Sequence, residues 1–270
     1  MAPPDEETDG LAPLVEGRPG PGHEQARRRF LESMAAGESS PEAWLQLGQE
    51  LLECRLFSDS LEALARSVRA EPRQPHAWFL RGAVLAELGM HARAVRAYDR
   101  CLEQDPGRFN AWHGRASSLY VLQRFDESLA ASETAIAVAP WFAHAWCCKG
   151  DCLRRLGRPA EALAAYEQVL LLAPEHRSAL NNKGLALKDL GRVGEAQACF
   201  ETLLALEPRD AGALFNRADC LEANGKTRQA LDAYHVFLDA AGPRHAQLAA
   251  EVRLRIAVLL QRGRAEAGPG

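Results

Sequence analysis

A chain of 270 residues, 47% apolar and 25% charged, has the make-up of a soluble globular protein, and few strand formers beside abundant Ala, Leu, Arg and Glu predict helices throughout. The net charge is −4, and the first 22 residues account for all of it, since Asp5, Glu6, Glu7, Asp9 and Glu16 oppose Arg18 alone. The neutral remainder lacks the electrostatic footprint of a nucleic-acid binder, and seven cysteines without a CxxC pair point to a reducing compartment rather than a disulfide framework.

Residues 1–22 hold Pro3, Pro4, Pro13, Pro19, Pro21 and four glycines, a composition too poor in burial to offset ordering entropy, so a disordered tail is expected. The start lacks the basic and apolar regions of a secretory signal, and no apolar run is long enough to span a bilayer; cytoplasmic residence and no membrane partner are the expectation. Residues 23–40 are read as a degenerate half-unit, with Ala26 and Phe30 at helical spacing to cover the first full unit. From Pro41 a period of 34 takes over. Pro72, Pro106, Pro140, Pro174 and Pro208 keep it, as do Trp44, Trp78, Trp112 and Trp146, continued by Leu180 and Leu214. Six units are thus expected over 41–244, each too short to bury its apolar face alone and obliged to stack on its neighbour. Gly48, Gly82, Gly150 and Gly184 recur with Ala94, Ala162, Ala196 and Ala230, side chains small enough to bring two helices close. Gly89, Gly157, Gly191 and Gly225 stand where a first helix must stop, although Arg55 and Gln123 occupy that place in units one and three. A final helix from about 245 to 262 carries Leu248, Val252, Ile256 and Leu259 as a capping stripe; Leu254 and Val258 lie off it and offer a route to self-association. Residues 263–270 are read as a second disordered tail.

The register is plainest in AHAWCCKGDCLRRLGRPAEALAAYEQVLLLAPEH, where Trp146, Gly150, Leu153, Gly157, Ala162, Tyr166 and Pro174 resemble the pattern of the tetratricopeptide repeat. The resemblance implies an all-α, right-handed superhelical solenoid of six helical hairpins, with a partial N-terminal helix and a C-terminal capping helix. It also implies that the first helices line a concave groove for an extended peptide or a partner helix. Projected onto that groove, Asn181, Asn182 and Asn216 resemble the start of an asparagine ladder, whose carboxamides hold a peptide backbone without reading its sequence. The equivalents of Asn182 in earlier units are Cys148, Gly114 and Leu80, so the ladder is short. Arg154, Arg155 and Lys188 join the same stretch, with Glu53 and Glu87 in units one and two, predicting a groove that steers an acidic segment to units four to six. Asn110, His113, His144 and Asp151 complete the candidate peptide-binding surface, and Trp141 and Phe142 in the loop between units three and four are candidate anchors.

Two further sets stay open at this level. Arg81, Arg115, Lys149, Lys183 and Arg217 form a column of cations, either with stems packed and heads reaching solvent or carboxylates, or tracking phosphates. His113, His144, Cys147, Cys148 and Asp151 are the best constellation for zinc or an activated thiolate, but adjacent cysteines on a helix point about 100° apart. No phosphate loop, HExxH or GxSxG is present, so neither catalysis nor a cofactor or metal is expected. The set of cations and asparagines with which chaperone-binding members clamp a carboxylate is not supplied by any three consecutive units. The expectation is a non-enzymatic adaptor that binds protein or peptide. The alternatives are a helical-repeat nucleic-acid binder, or a regulatory subunit of an enzyme complex such as a glycosyltransferase or a chaperone machine.

Overall fold

The computed structural model describes residues 22–37 and 40–266, with side chains to residue 261; of the expected tails, 1–21 and 267–270 lie outside it, while 263–266 continue the last helix instead of forming a tail. Among the described residues there are fourteen α-helices, one short 3-10 turn and no strand. After α1 (His23–Ala36), twelve helices pair off as α2 (Pro41–Glu53) with α3 (Phe57–Ala70), α4 (Pro75–Glu87) with α5 (His91–Leu102), and α6 (Phe109–Val121) with α7 (Phe125–Val138). The series continues as α8 (Ala143–Arg155) with α9 (Pro159–Leu172), α10 (Arg177–Asp189) with α11 (Val193–Leu206), and α12 (Ala211–Ala223) with α13 (Thr227–Ala240). A 3-10 turn (Pro243–His245) then leads into α14 (Ala246–Glu266). The described residues form two compact units that divide between Pro140 and Trp141.

Each hairpin turns through a residue in the left-handed region. Gly89 has φ 73°, its amide donates to the Ala86 carbonyl at 2.9 Å and the next amide, of Met90, to Leu85 at 2.8 Å, satisfying carbonyls that the helix end would orphan. Arg55 and Gln123 adopt the same turn at φ 60° without being glycine. The close approach inside each hairpin is equally specific. A Cβ at Gly184 would lie 2.6 Å from the Phe200 ring, and one at Gly150 2.5 Å from the Tyr166 ring. The third hairpin accommodates a methyl group at Ala116 and carries buried Ser132, not a ring, in the second helix, while Ser128 donates to the Ala116 carbonyl at 2.7 Å.

Proline and tryptophan share a period because they meet. In the first unit the indole of Trp78 donates to the Pro72 carbonyl at 3.0 Å and that of Trp112 to Pro106 at 2.9 Å, tying the end of one hairpin to the first helix of the next. Where leucine replaces tryptophan, side-chain caps hold the junction, His176 Nδ1 accepting from Ala179 at 3.2 Å and Asp210 from Ala213 at 2.7 Å. The cation column resolves as a set of staples. Arg115 meets Asp99 at 2.6 Å in the first unit, and Lys183–Glu167 (3.1 Å) and Arg217–Glu201 (3.3 Å) span adjacent hairpins in the second. Arg81, 5% exposed, stacks on Trp78 at 5.2 Å. Stems packed and heads on carboxylates or rings is therefore the arrangement found.

In the first unit, α1 buries Ala26 and Phe30 against Trp44, Leu47 and Leu51. In the second, α14 buries Val252, Ile256 and Leu259 against Leu214, Tyr234 and Phe237, leaving Leu254 and Val258 exposed. Among the described residues, no helix is long and apolar enough to cross a membrane.

Candidate functional site

The second unit brings the asparagines together on its first helices. Asn216 on α12 donates to Asn181 Oδ1 at 3.4 Å, Asn181 donates to Asn182 Oδ1 at 3.0 Å, and Asn182 donates to Asp151 Oδ1 on α8 at 2.8 Å. The same carboxylate oxygen accepts the Tyr166 hydroxyl at 2.6 Å. Three carboxamides thus form a directed chain that ends on a carboxyl group, and each has one N–H without a hydrogen-bond partner among the described residues. Burial pushes the Asp151 carboxyl above its ordinary value, opposed by the bonds from Tyr166 and Asn182 and by the Arg154 charge.

Arg154 and Lys188 lie beside this chain, but each already has a carboxylate. Arg154 is 3.7 Å from Asp189, and Lys188 is 2.5 Å from Asp219, which also holds Arg255 at 2.9 Å. Arg255 completes a network with Glu222 at 2.9 Å, whose other partner is the Tyr234 hydroxyl at 2.8 Å. Arg155 is exposed at the end of α8. The basic stretch is consequently an alternation of ion pairs between successive helices.

Trp141 and Phe142 part company: Trp141 is 66% exposed, whereas Phe142 is half-buried, its ring 5.3 Å from that of His144. His144 in turn meets His176 edge-on at 6.1 Å. Asn110 and His113 stand on α6 of the first unit, where Asn110 Oδ1 is buried and accepts no hydrogen bond among the described residues.

The imidazole next to Cys147 is that of His176, at 3.9 Å from Sγ, a neighbour that sequence spacing did not disclose. Its Nδ1 accepts a backbone bond, so Nε2 carries the proton and is no base for the thiol. Burial, with Asp151 and Cys148 adding to it, pushes the Cys147 thiol up to about 12, the reverse of what a nucleophile needs. Among the described residues, no group of three or more His, Cys, Asp or Glu is placed to hold a metal ion.

Comparison with known sequence families matches residues 45–109 and 181–246 to the tetratricopeptide repeat, and residues 143–176 to a second description of the same repeat, together well over half of the chain. A search of curated proteins finds no match. Among solved structures the chain is similar to YrrB, described as a TPR protein with an unusual peptide-binding site, at 20% identity and a TM-score of 0.60, covering 72% of this chain and 98% of that one. It is similar to pilF of Pseudomonas aeruginosa at 15% identity and TM-score 0.67, covering 80% and 97% of the two chains. A tetratricopeptide repeat protein from Parabacteroides merdae aligns at 20% identity and TM-score 0.66, with 83% and 92% covered. At these identities the likeness is one of fold.

Proposed function

Because the chain belongs to the tetratricopeptide repeat family, whose members generally serve as non-catalytic interaction modules, we propose that it is a protein-binding scaffold whose ligand lies across the first helices of the second unit. The observation that carries this reading is the carboxamide chain from Asn216 through Asn181 and Asn182 to Asp151. Its spare N–H groups stand on two successive hairpins, α10 and α12, and match the carbonyls of an extended peptide or the polar face of a partner helix. Trp141, exposed before α8, supplies an aromatic anchor at one edge of the same unit.

An acidic ligand is the finer proposal. Arg154 and Lys188 offer the charge, but a carboxylate from outside must displace Asp189 or Asp219, so such a ligand binds only by competing with groups the protein already holds. The work is done in the cytoplasm on this reading. Affinity capture from native cytosol with the wild type beside an Asn182→Ala, Asn216→Ala, Arg154→Glu variant tests it, once circular dichroism shows both folded. Partners retained by the wild type and lost by the variant support the surface; identical partners on both overturn it.

A further inference from the structure

Away from the asparagine chain, the second unit has an open cavity of about 750 Å³ between the loop joining α11 to α12 and the turn joining α13 to α14. That volume lies within the range of sites that hold small ligands or peptide side chains. Its lining divides by chemistry. Leu206, which is 38% exposed, and Pro208, Ala240 and Pro243 are apolar, while Arg209, Arg244 and His245 bring basic side chains from the two loops.

The anionic and cationic groups of the lining are not in the same state. Asp210 is committed to capping α12, and Glu207 is engaged by Arg177. Arg209 and Arg244 are exposed and have no ion pair among the described residues; His245 makes only an edge contact with the Phe237 ring, at 6.5 Å, and its side chain no hydrogen bond there. In the same unit Arg154, Arg158, Arg177, Arg192, Arg217 and Arg255 all have carboxylate partners. The cavity therefore presents two arginine heads that, like those of Arg228 and Arg253 elsewhere in the unit, have no ion pair among the described residues, and here they stand beside exposed apolar surface. In addition, α14 begins immediately after His245, so the positive end of a 21-residue helix opens beside the basic groups.

We propose that this cavity is a second binding site, specific for a peptide segment in which acidic side chains alternate with leucine or valine. The acids pair with Arg209 and Arg244, and the aliphatic side chains cover Leu206 and the two prolines. A bare inorganic anion satisfies the first requirement alone, and an apolar peptide only the second. The proposal shares with the functional reading the premise that the protein binds peptides, but it places this ligand on different residues.

The test is fluorescence anisotropy of the full chain with a labelled Glu-Leu-Asp-Val-Glu-Leu peptide. Saturable binding is expected, weakened about tenfold or more by Arg209→Glu/Arg244→Glu and unchanged by Arg228→Glu/Arg253→Glu, the same charge reversal at exposed arginines outside the cavity, with Asn182→Ala/Asn216→Ala as the asparagine variant for comparison. Both cavity arginines are exposed, so their charge-reversed variant is expected to keep its helical circular dichroism; if it does not, Arg209→Gln/Arg244→Gln is expected to show the same loss in lesser degree. Replacing the acids of the probe by Gln and Asn, or its aliphatic residues by Ser, is each expected to weaken binding as well. The idea is overturned by no binding up to about 1 mM probe, by equal affinity for the Ser-substituted probe, or by equal affinity of the cavity arginine variants. Loss of the probe in the asparagine variant alone also overturns it, and assigns the peptide to the carboxamide surface instead.

Discussion

Asp151 shows how much one side chain is asked to do. It terminates the carboxamide chain and accepts the Tyr166 hydroxyl, yet burial holds its carboxyl above the ordinary value. A carboxyl raised on folding contributes stability that is fully present below its unfolded pKa and is lost as pH rises through its folded pKa. Asp151→Asn abolishes that titration, so the melting temperature of the wild type relative to this variant is expected to fall as pH rises from below the ordinary carboxylate range to above it. A relative rise over that window would mean that the bonds to the ionised form outweigh burial. A second single-residue outcome concerns Gly184, where a methyl group would meet the Phe200 ring at 2.6 Å. Urea denaturation of Gly184→Ala is expected to show a loss of about 1–3 kcal/mol, despite the helix propensity gained.

At the scale of the element, the hairpin turn sets the clearest expectation. Gln123 holds φ 60° where four other hairpins use glycine, and the left-handed region is costly for a side chain bearing Cβ. Gln123→Gly is therefore expected to stabilise the chain by about 0.5–1 kcal/mol, part of the gain being offset by the freer unfolded state; a loss in chemical denaturation would show that the Gln123 side chain contributes more than the strain costs. Much of this element was legible beforehand, because glycine, proline and tryptophan at fixed intervals each answer a local need: a turn, a stop, an indole aimed at a carbonyl. The staples were legible in part, since carboxylate partners for the cation column were among the readings kept open but the acids themselves were not identified. Asp99, Glu133, Glu167 and Glu201 keep the same period of 34 as the cations, but reading the cations alone hid the acids that explain them. What no period discloses is the pairing of Lys188 with Asp219 or of Cys147 with His176. Those contacts depend on the rotation and offset of neighbouring first helices, which packing decides and which sequence spacing does not record. The asparagines were found bonded to one another on first helices, while Arg154 and Lys188 beside them proved to be already paired.

At the scale of the whole molecule, that pairing governs what the second unit accepts. Asp189→Asn/Asp219→Asn frees Arg154 and Lys188, and affinity for an acidic peptide is expected to rise about tenfold, with a steeper dependence on salt; an unchanged affinity would remove these cations from the binding surface. Repetition governs what the chain tolerates. Deleting residues 177–210 removes one complete period and leaves the neighbouring hairpins a matching face, whereas deleting 177–186 removes most of a helix and leaves its partner exposed. Circular dichroism is expected to show a cooperative unfolding transition for the first deletion and a broad, early one for the second. The indole bonds of Trp78 and Trp112 to proline carbonyls carry a last consequence, which concerns light. Emission from those two side chains reports the integrity of particular junctions in the first unit, whereas α10 to α13 contain no tryptophan and are dark under excitation selective for indole. Intrinsic fluorescence will follow one portion of the chain while far-ultraviolet ellipticity follows all of it. A mismatch between the two melting curves would measure how independently the hairpins open, and a fluorophore placed at Leu180 or Leu214 would bring the silent hairpins into view.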